Sequence, residues 1–448
     1  MSFLFAWSVL IVARRIAIFL LLLSAAHAWT QTTTTASSAP GNQPQRLTLD
    51  DAVRMAKANA PQFRAALAEY GIARQDVVQA RAALLPGLSY TTGEIYTEGN
   101  RTPTGRFVGA NGVHEYLSEG IVHEDLSFTG VADLRRTQAL QALARARAEI
   151  ATRGLVSTVV QDFYAVIVTY QKVQNAQSAS DEAQKFVKLS RQLENGGEVA
   201  HSDVIKAQLQ ANDRQRDLQD SQLVAEQAKL SLAVLIFPNF TPDYELANDL
   251  DQFPALPEFA HIQDLAGHNN PELAAAAAAL KASQQDVTAA VSGHLPSLSF
   301  DYFYGIDANR YAVRTDGIRN LGYQAVATLN VPVFDWGAVQ SKVKQAQLRR
   351  DQARVELSAA QRQALANLRL FYNEAQTART QIDLLKQSAD LAANSLRLTT
   401  DRYQAGEATA LEVVDAQNAD LLARDNYDDA AARYRVALAN LQTLTGAF

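Results

Sequence analysis

Apolar and polar positions along this chain alternate with two different periods. Leu298, Phe300, Tyr302, Tyr304 and Ile306, and again Leu321, Tyr323, Ala325, Ala327, Leu329, Val331 and Val333, occupy every second place. That is the period of a β-strand with one apolar face. The polar stretch 307–320 between them reads as a loop. Residues 88–98 and 116–126, on either side of the Gly-rich stretch 99–112, predict a second pair of strands with poorer alternation. Elsewhere the spacing is helical. Residues 130–194 and 337–404 contain no proline and as single helices would each reach about 100 Å at ~1.5 Å per residue. In the second, Ile382, Leu385, Ala389, Ala392, Leu396 and Tyr403 keep heptad spacing on one flank, while Leu384, Leu391 and Leu398 lie about 200° round the helix. Such a helix has two apolar seams and two polar faces, which suits a stave with a neighbour on each side and water in front and behind. A shorter helix is predicted to open at Thr48-Leu49-Asp50-Asp51, a capping box, and to run to about Ala83.

The same order of elements occurs twice. Asn59-Ala60-Pro61 recurs as Asn269-Asn270-Pro271, Gln75-Asp76-Val77 as Gln285-Asp286-Val287, and Leu85-Pro86-Gly87-Leu88-Ser89 as Leu295-Pro296-Ser297-Leu298-Ser299, all at one offset. Farther on, Phe163-Tyr164 matches Phe371-Tyr372, and Gly197-Glu198 matches Gly406-Glu407 at nearly that offset. The chain therefore divides into a first repeat, 47–237, a Pro-rich joint, 238–258, and a second repeat, 259–448, each reading helix, two strands, very long helix, turn, long helix.

The N-terminus changes where this fold should sit. Arg14 and Arg15, the apolar run 16–23 and Ala26-His27-Ala28 have the form of a signal peptide over residues 1–28. Residues 29–46, rich in Thr, Ser, Pro and Gln, read as a flexible leader. An exported chain with no cysteine has neither disulfides nor thiol chemistry. Net charge is −6 at pH 7, which argues against a nucleic-acid partner. No Gly-x-Ser-x-Gly, His-Glu-x-x-His or phosphate-binding Gly-rich loop is present, so neither an enzyme nor a cofactor is expected. His201-Ser202-Asp203 reads as a polar turn at a helix start rather than a metal or catalytic fragment.

Four strands of about ten residues suit a tilted membrane crossing, but four cannot close, and open edges are not tolerated in lipid. Closure therefore requires several chains. Eight strands give an interior filled by side chains, so three chains giving twelve strands make a plausible open bore.

The paired Leu-Pro-x-Leu-Ser motifs, the strand exit Val331-Pro332-Val333-Phe334-Asp335-Trp336-Gly337, and the turn Arg402-Tyr403-Gln404-Ala405-Gly406-Glu407 followed by Leu411-Glu412-Val413-Val414-Asp415-Ala416-Gln417 resemble the TolC-like outer-membrane factors. The resemblance runs over residues 47–446, in order and in duplicate. It implies a mainly α fold with a small β part, a long α-helical barrel joined to a trimeric twelve-stranded transmembrane β-barrel in the outer membrane. It also implies a passive exit duct of a tripartite efflux or type I secretion system, a homotrimer docked to a periplasmic adaptor that is attached to an inner-membrane pump or ABC exporter. A non-conducting periplasmic coiled-coil scaffold is the rival reading of the helices.

The same resemblance assigns the periplasmic tip. Gly197, Glu198, Val199 and Ala200, with Gly406, Glu407, Ala408 and Thr409, become adaptor-docking residues, although a glycine turn ends a helix whatever docks there. Asp203, Tyr403, Glu412 and Asp415 become the periplasmic gate, the acids facing the lumen and concentrating cations. Thr409-Ala410-Leu411-Glu412 is also a capping box, and Tyr403 also continues an apolar seam. The family latch includes an arginine two residues past the turn glycine, where this chain has Ala408, so the expectation is a weaker or differently built closure.

Overall fold

The computed structural model describes residues 46–96, 114–238, 244–308 and 320–446. The predicted signal, nearly all of the leader, residues 99–112 and most of 307–320 lie outside the described residues. The elements are β1 (Arg46–Leu47), α1 (Leu49–Asn59), α2 (Pro61–Ala82), β2 (Gly87–Tyr96), β3 (His114–Leu126), α3 (Phe128–Asn195) and α4 (His201–Ile236), then β4 (Glu245–Leu246), α5 (Phe259–Asn269), α6 (Pro271–Ser292), β5 (Ser297–Ala308), β6 (Gly322–Asn330), α7 (Ala338–Gln404) and α8 (Ala410–Thr445). Helix lengths repeat almost residue for residue: 11 and 11 for α1 and α5, 22 and 22 for α2 and α6, 68 and 67 for α3 and α7, and 36 and 36 for α4 and α8.

Three expectations need correction. The helix predicted from Leu49 to Ala83 is two helices, because Pro61 at the first position of α2 has no N–H to continue α1 and holds Ala60 extended (ψ 120°). The second repeat breaks in the same way at Asn270, whose side chain caps α6 by accepting from the N–H groups of Glu272 and Leu273. Strand β6 stops at Asn330 rather than Val333, since Pro332 cannot donate to a ladder. Arg46, assigned to the leader, belongs to β1, which pairs in parallel with β4 of the inter-repeat joint.

The four long strands make one antiparallel sheet in the order β2-β3-β5-β6. Residues in register share a face, so Leu88, Val122, Tyr302 and Ala325 line up, as do Tyr90, Gly120, Tyr304 and Tyr323. This face is apolar and largely exposed. The opposite face carries His123, Asp125, Asp301, Gln324 and Thr328. There the His123 imidazole bridges Asp301 at 2.6 Å and Asp125 at 3.3 Å. Gly305 is required by close approach, because a Cβ there would lie 2.2 Å from the Ser118 carbonyl oxygen. Strands β2 and β6 are the sheet's edges.

The helices continue the layer. Next to the sheet, α2, α3, α6 and α7 pack in the order of the strands that feed them, and beyond it the order is α4, α3, α8 and α7. Alanines at heptad spacing, Ala132, Ala139 and Ala146, are buried along α3, allowing close helix contact. Where the two orders meet, α1, β1 and β4 cover a core built on Phe163, Tyr164, Leu232 and Ile236, and α5 covers a second core built on Leu368, Ile382 and Tyr434. In the first core Arg435 donates to the Tyr164 hydroxyl (2.6 Å), and both Arg435 and Tyr164 bond Asp249.

Candidate functional site

Both helical hairpins turn by one device. After α3, Gly197 adopts φ +79°; its N–H donates to the Glu194 carbonyl (2.9 Å) and the Glu198 N–H reaches back to Leu193 (2.9 Å). After α7, Gly406 adopts φ +74°, with the Gly406 N–H on Tyr403 (3.1 Å) and the Glu407 N–H on Arg402 (2.9 Å). These paired bonds satisfy the last carbonyls of each helix. An added Cβ at either glycine would meet nothing within 4 Å, so the requirement is on φ rather than on space. Gly197, Glu198, Ala200, Gly406, Glu407 and Thr409 are exposed at these turns, whereas Val199 and Ala408 are half-buried against the core beneath.

The four candidate gate residues have different surroundings. Tyr403 is only 1% exposed. Its ring meets Phe186 edge-on, with centroids 5.0 Å apart, its hydroxyl donates to Ser190 Oγ at 3.1 Å, and it packs with Ala207, Ala410 and Val413. It therefore ties α7 to α3, within one chain. Glu412 closes the capping box: its carboxylate accepts from the Thr409 N–H (3.2 Å) and hydroxyl (3.1 Å), while the Glu412 N–H donates to Thr409 Oγ1 (3.3 Å). The Thr409 N–H and hydroxyl, with Arg402 at 3.7 Å, hold this carboxyl below the usual glutamate range. Asp415 is exposed about one turn farther along α8, and Asp203 pairs with Lys206 at 3.2 Å. Arg214 of α4 bonds Asn418 of α8, holding the two helices together nearby.

Sequence reasoning missed a second acidic group. Asp425, Asp428 and Asp429 project from α8 towards α3, where Asn175 Nδ2 donates to Asp425 and Asp428 at 3.0 Å each and Lys172 Nζ lies 2.8 Å from Asp429. Burial pushes Asp428 up to about 6 and raises Asp425 as well. Three acids within five residues of one helix are visible in the sequence, but that α3 covers them is not.

Among the described residues there is no group of three or more side chains suited to a metal ion, and no helix is long and apolar enough to cross a membrane. The membrane-length apolar surface lies on the sheet.

Known proteins resemble this chain in sequence and in fold. The family model for outer membrane efflux proteins matches residues 263–447. The alkaline protease secretion protein AprF of Pseudomonas aeruginosa is 26% identical over 416 residues, covering 89% of this chain and 84% of its own. Outer membrane protein TolC of Vibrio cholerae is 25% identical over 416 residues, covering 89% and 90%. Among solved structures, the outer membrane protein VceC of Vibrio cholerae has the same fold at a TM-score of 0.76 and 20% identity, covering 89% of this chain and 96% of that one. The Campylobacter jejuni CmeC outer membrane channel has it at 0.76 and 17% identity, covering 89% and 85%.

Proposed function

We propose that this chain, whose residues 263–447 match the family model for outer membrane efflux proteins, belongs to that family, that it is an exit duct in the bacterial outer membrane with its helices standing in the periplasm, and that it serves a tripartite efflux or type I secretion system. One observation carries the reading: both edges of the layer are unfinished. Strands β2 and β6 leave their outer ladders unpaired. At one helical edge Ile72 and Val78 of α2 and Leu209 and Leu223 of α4 are exposed; at the other, Leu348, Val355, Leu384, Leu391 and Leu398 of α7. An open sheet edge in lipid and an apolar helical flank in water are both unfavourable, and further copies of the same chain remove both at once. Three copies give a barrel wide enough to conduct, with the His123 face inside and the Tyr304 face towards lipid.

In this reading the chain performs no chemistry, and energy comes from an inner-membrane pump or ABC exporter reached through a periplasmic adaptor. The adaptor docks on the exposed turn residues Gly197, Glu198, Ala200, Gly406, Glu407 and Thr409, with Val199 and Ala408 supporting them from below. Asp203, Tyr403, Glu412 and Asp415 form the gate. Asp415, exposed and repeated in each copy, supplies the ring of negative charge, whereas Glu412 and Tyr403 hold the tip's shape. The experiment is single-channel conductance together with particle mass for the detergent-purified chain. A trimer with cation-preferring current is expected, and Asp415→Asn should weaken that preference. A soluble, non-conducting particle would instead support a periplasmic coiled-coil scaffold.

A further inference from the structure

The sheet-proximal parts of the two longest helices hold cations that nothing in the chain neutralises. Residues 128–153 of α3 and 338–369 of α7 carry twelve Lys and Arg against four Asp and Glu. Three of those four acids are already paired: Asp133 with Arg136 at 3.0 Å, Glu149 with Arg153 at 2.7 Å and Asp351 with Arg350 at 2.7 Å. Asp286 of the intervening α6 is also held by Arg136, at 2.8 Å. Glu356, six residues before Arg362, falls on the other half of α7. Arg135, Arg145, Lys344, Arg354 and Arg362 remain exposed and without an ion pair among the described residues. In a chain of net charge −6, such a surface runs against the average and attracts anions.

All five lie on one side of the layer. Arg369 stacks over Phe259 of α5 at 5.9 Å. Arg362 stands seven residues before it and Lys344 eighteen before that, so the three share a face, with Arg354 between that row and the buried seam. Arg135 stands eighteen residues, five whole turns, before Arg153, whose guanidinium donates to the Asn269 carbonyl at the end of α5 (3.0 Å). Arg145 stands five turns before Phe163, in the core that α1 covers. When the layer closes on itself, the side carrying α1 and α5 becomes the outside, because inside the tube those helices would fill the bore. From Lys344 to Arg362 the row descends about 27 Å at ~1.5 Å per residue. Lipid phosphates beside the sheet act over a Debye length, ~10 Å, and reach only its upper end. An extended polymer with repeated carboxylates reaches all of it, and guanidinium groups pair with carboxylates through two parallel hydrogen bonds.

We infer that these cations form a basic collar round the helical tube and that the collar binds the acidic glycan–peptide polymer of the periplasmic cell wall. This rests on the reading that places the helices in the periplasm. The test is cosedimentation of the detergent-purified chain with purified peptidoglycan sacculi across a salt series. Two charge-matched variants accompany wild type: Lys344→Gln with Arg354→Gln and Arg362→Gln in the collar, and Lys185→Gln with Lys188→Gln and Arg191→Gln, exposed cations of α3 near the tip. Wild type and the tip variant should bind alike and be released by salt, whereas the collar variant should bind several-fold less and conduct as wild type does. Absence of binding by wild type, or an equal loss in the tip variant, overturns the collar, and in a protein that still conducts it leaves the duct standing. Unchanged sacculus binding by the collar variant, with loss of retained phosphatidylglycerol in native mass spectra, assigns the surface to lipid headgroups and overturns the collar too. Collar-dependent binding by a soluble, non-conducting particle would uphold the collar and remove the duct instead.

Discussion

The Tyr403 hydroxyl donates to Ser190 Oγ across 3.1 Å with both side chains buried, so the last turn of α7 is fastened to α3 just above the tip turns. Any opening that swings the second hairpin away from the first must break this bond and part the Tyr403 and Phe186 rings. Tyr403→Phe should therefore weaken the closed arrangement by about 1 kcal/mol, the usual net value of one hydrogen bond, and Tyr403→Ala by roughly 3–5 kcal/mol through the cavity it leaves. Planar-bilayer recordings should show longer open dwell times in that order. Ser190→Ala added to Tyr403→Phe should change little further, since the two side chains share one interaction. Equal dwell times in wild type and Tyr403→Ala would remove this contact from the gate.

Glu412 gives the second tip turn a dependence on acid. Its folded carboxyl is held below the ordinary glutamate range, by the Thr409 N–H and hydroxyl first and by Arg402 after them. A depressed folded pKa contributes stability that is fully present above the unfolded value and disappears as pH falls through the folded one. Amides in the first turn of α8 should thus exchange faster once pH drops below the ordinary glutamate range, after allowance for intrinsic exchange. In Glu412→Gln that acid step should vanish. An acid step of equal size in the variant would assign the effect to another group.

The Asp428 cluster runs the opposite way. Burial against α3, ahead of the repulsion from Asp425 and Asp429, lifts Asp428 to about 6. An acid raised in the fold binds more protons folded than unfolded, so stability falls as pH rises from the ordinary aspartate range to about 6. Asp428→Asn keeps the size and can still meet Asn175, so at neutral pH it should stabilise the α3–α8 contact, by about 1 kcal/mol once solvent screening of this partly exposed group is allowed for. Thermal melts of wild type and variant at several pH values test this. The two should converge near pH ~4 and separate by neutrality, and a constant difference across that range would count against Asp428 as the titrating group.

How much of this was legible depended on how local the signal is. Strands β5 and β6 were readable because Leu298 to Ile306 and Tyr323 to Leu329 alternate cleanly on a sheet with one apolar face, and the two seams of α7 because heptads persist over many turns. The break at Ala60-Pro61 was hidden by unbroken helical composition on both sides, although proline itself marked the place. The two-residue strands β1 and β4 are too short to have a period. At the tip, the Thr409–Glu412 cap stood in the sequence as a motif, whereas Ser190 and Asn175, which meet Tyr403 and Asp428, come from the other repeat. Pairing over such distances leaves no trace in local spacing. Nor did the motif containing Trp336 reveal its positive φ.

The exposed seam of α7 allows assembly to be separated from folding. Leu384 and Leu391 lie on the flank facing away from the chain's own packing, 63% and 62% exposed, whereas Ile382 on the opposite flank is 1% exposed. If copies of this chain pack flank to flank, α7 of one copy meets the exposed leucines of α4 on the next, and each leucine so buried contributes roughly 1.5–3 kcal/mol. Replacing both, Leu384→Glu with Leu391→Glu, puts two charges per copy into every such joint at once. Light scattering after size exclusion in detergent should then fall to the mass of a single chain, while circular dichroism keeps the wild-type helical signal. Ile382→Glu should instead lose helical signal as well, because it places an unpaired carboxylate inside the α7–α8 packing. Retention of the full particle mass by the double variant would mean that this seam faces water or another partner, and that the copies, if they assemble, do so through the sheet edges alone.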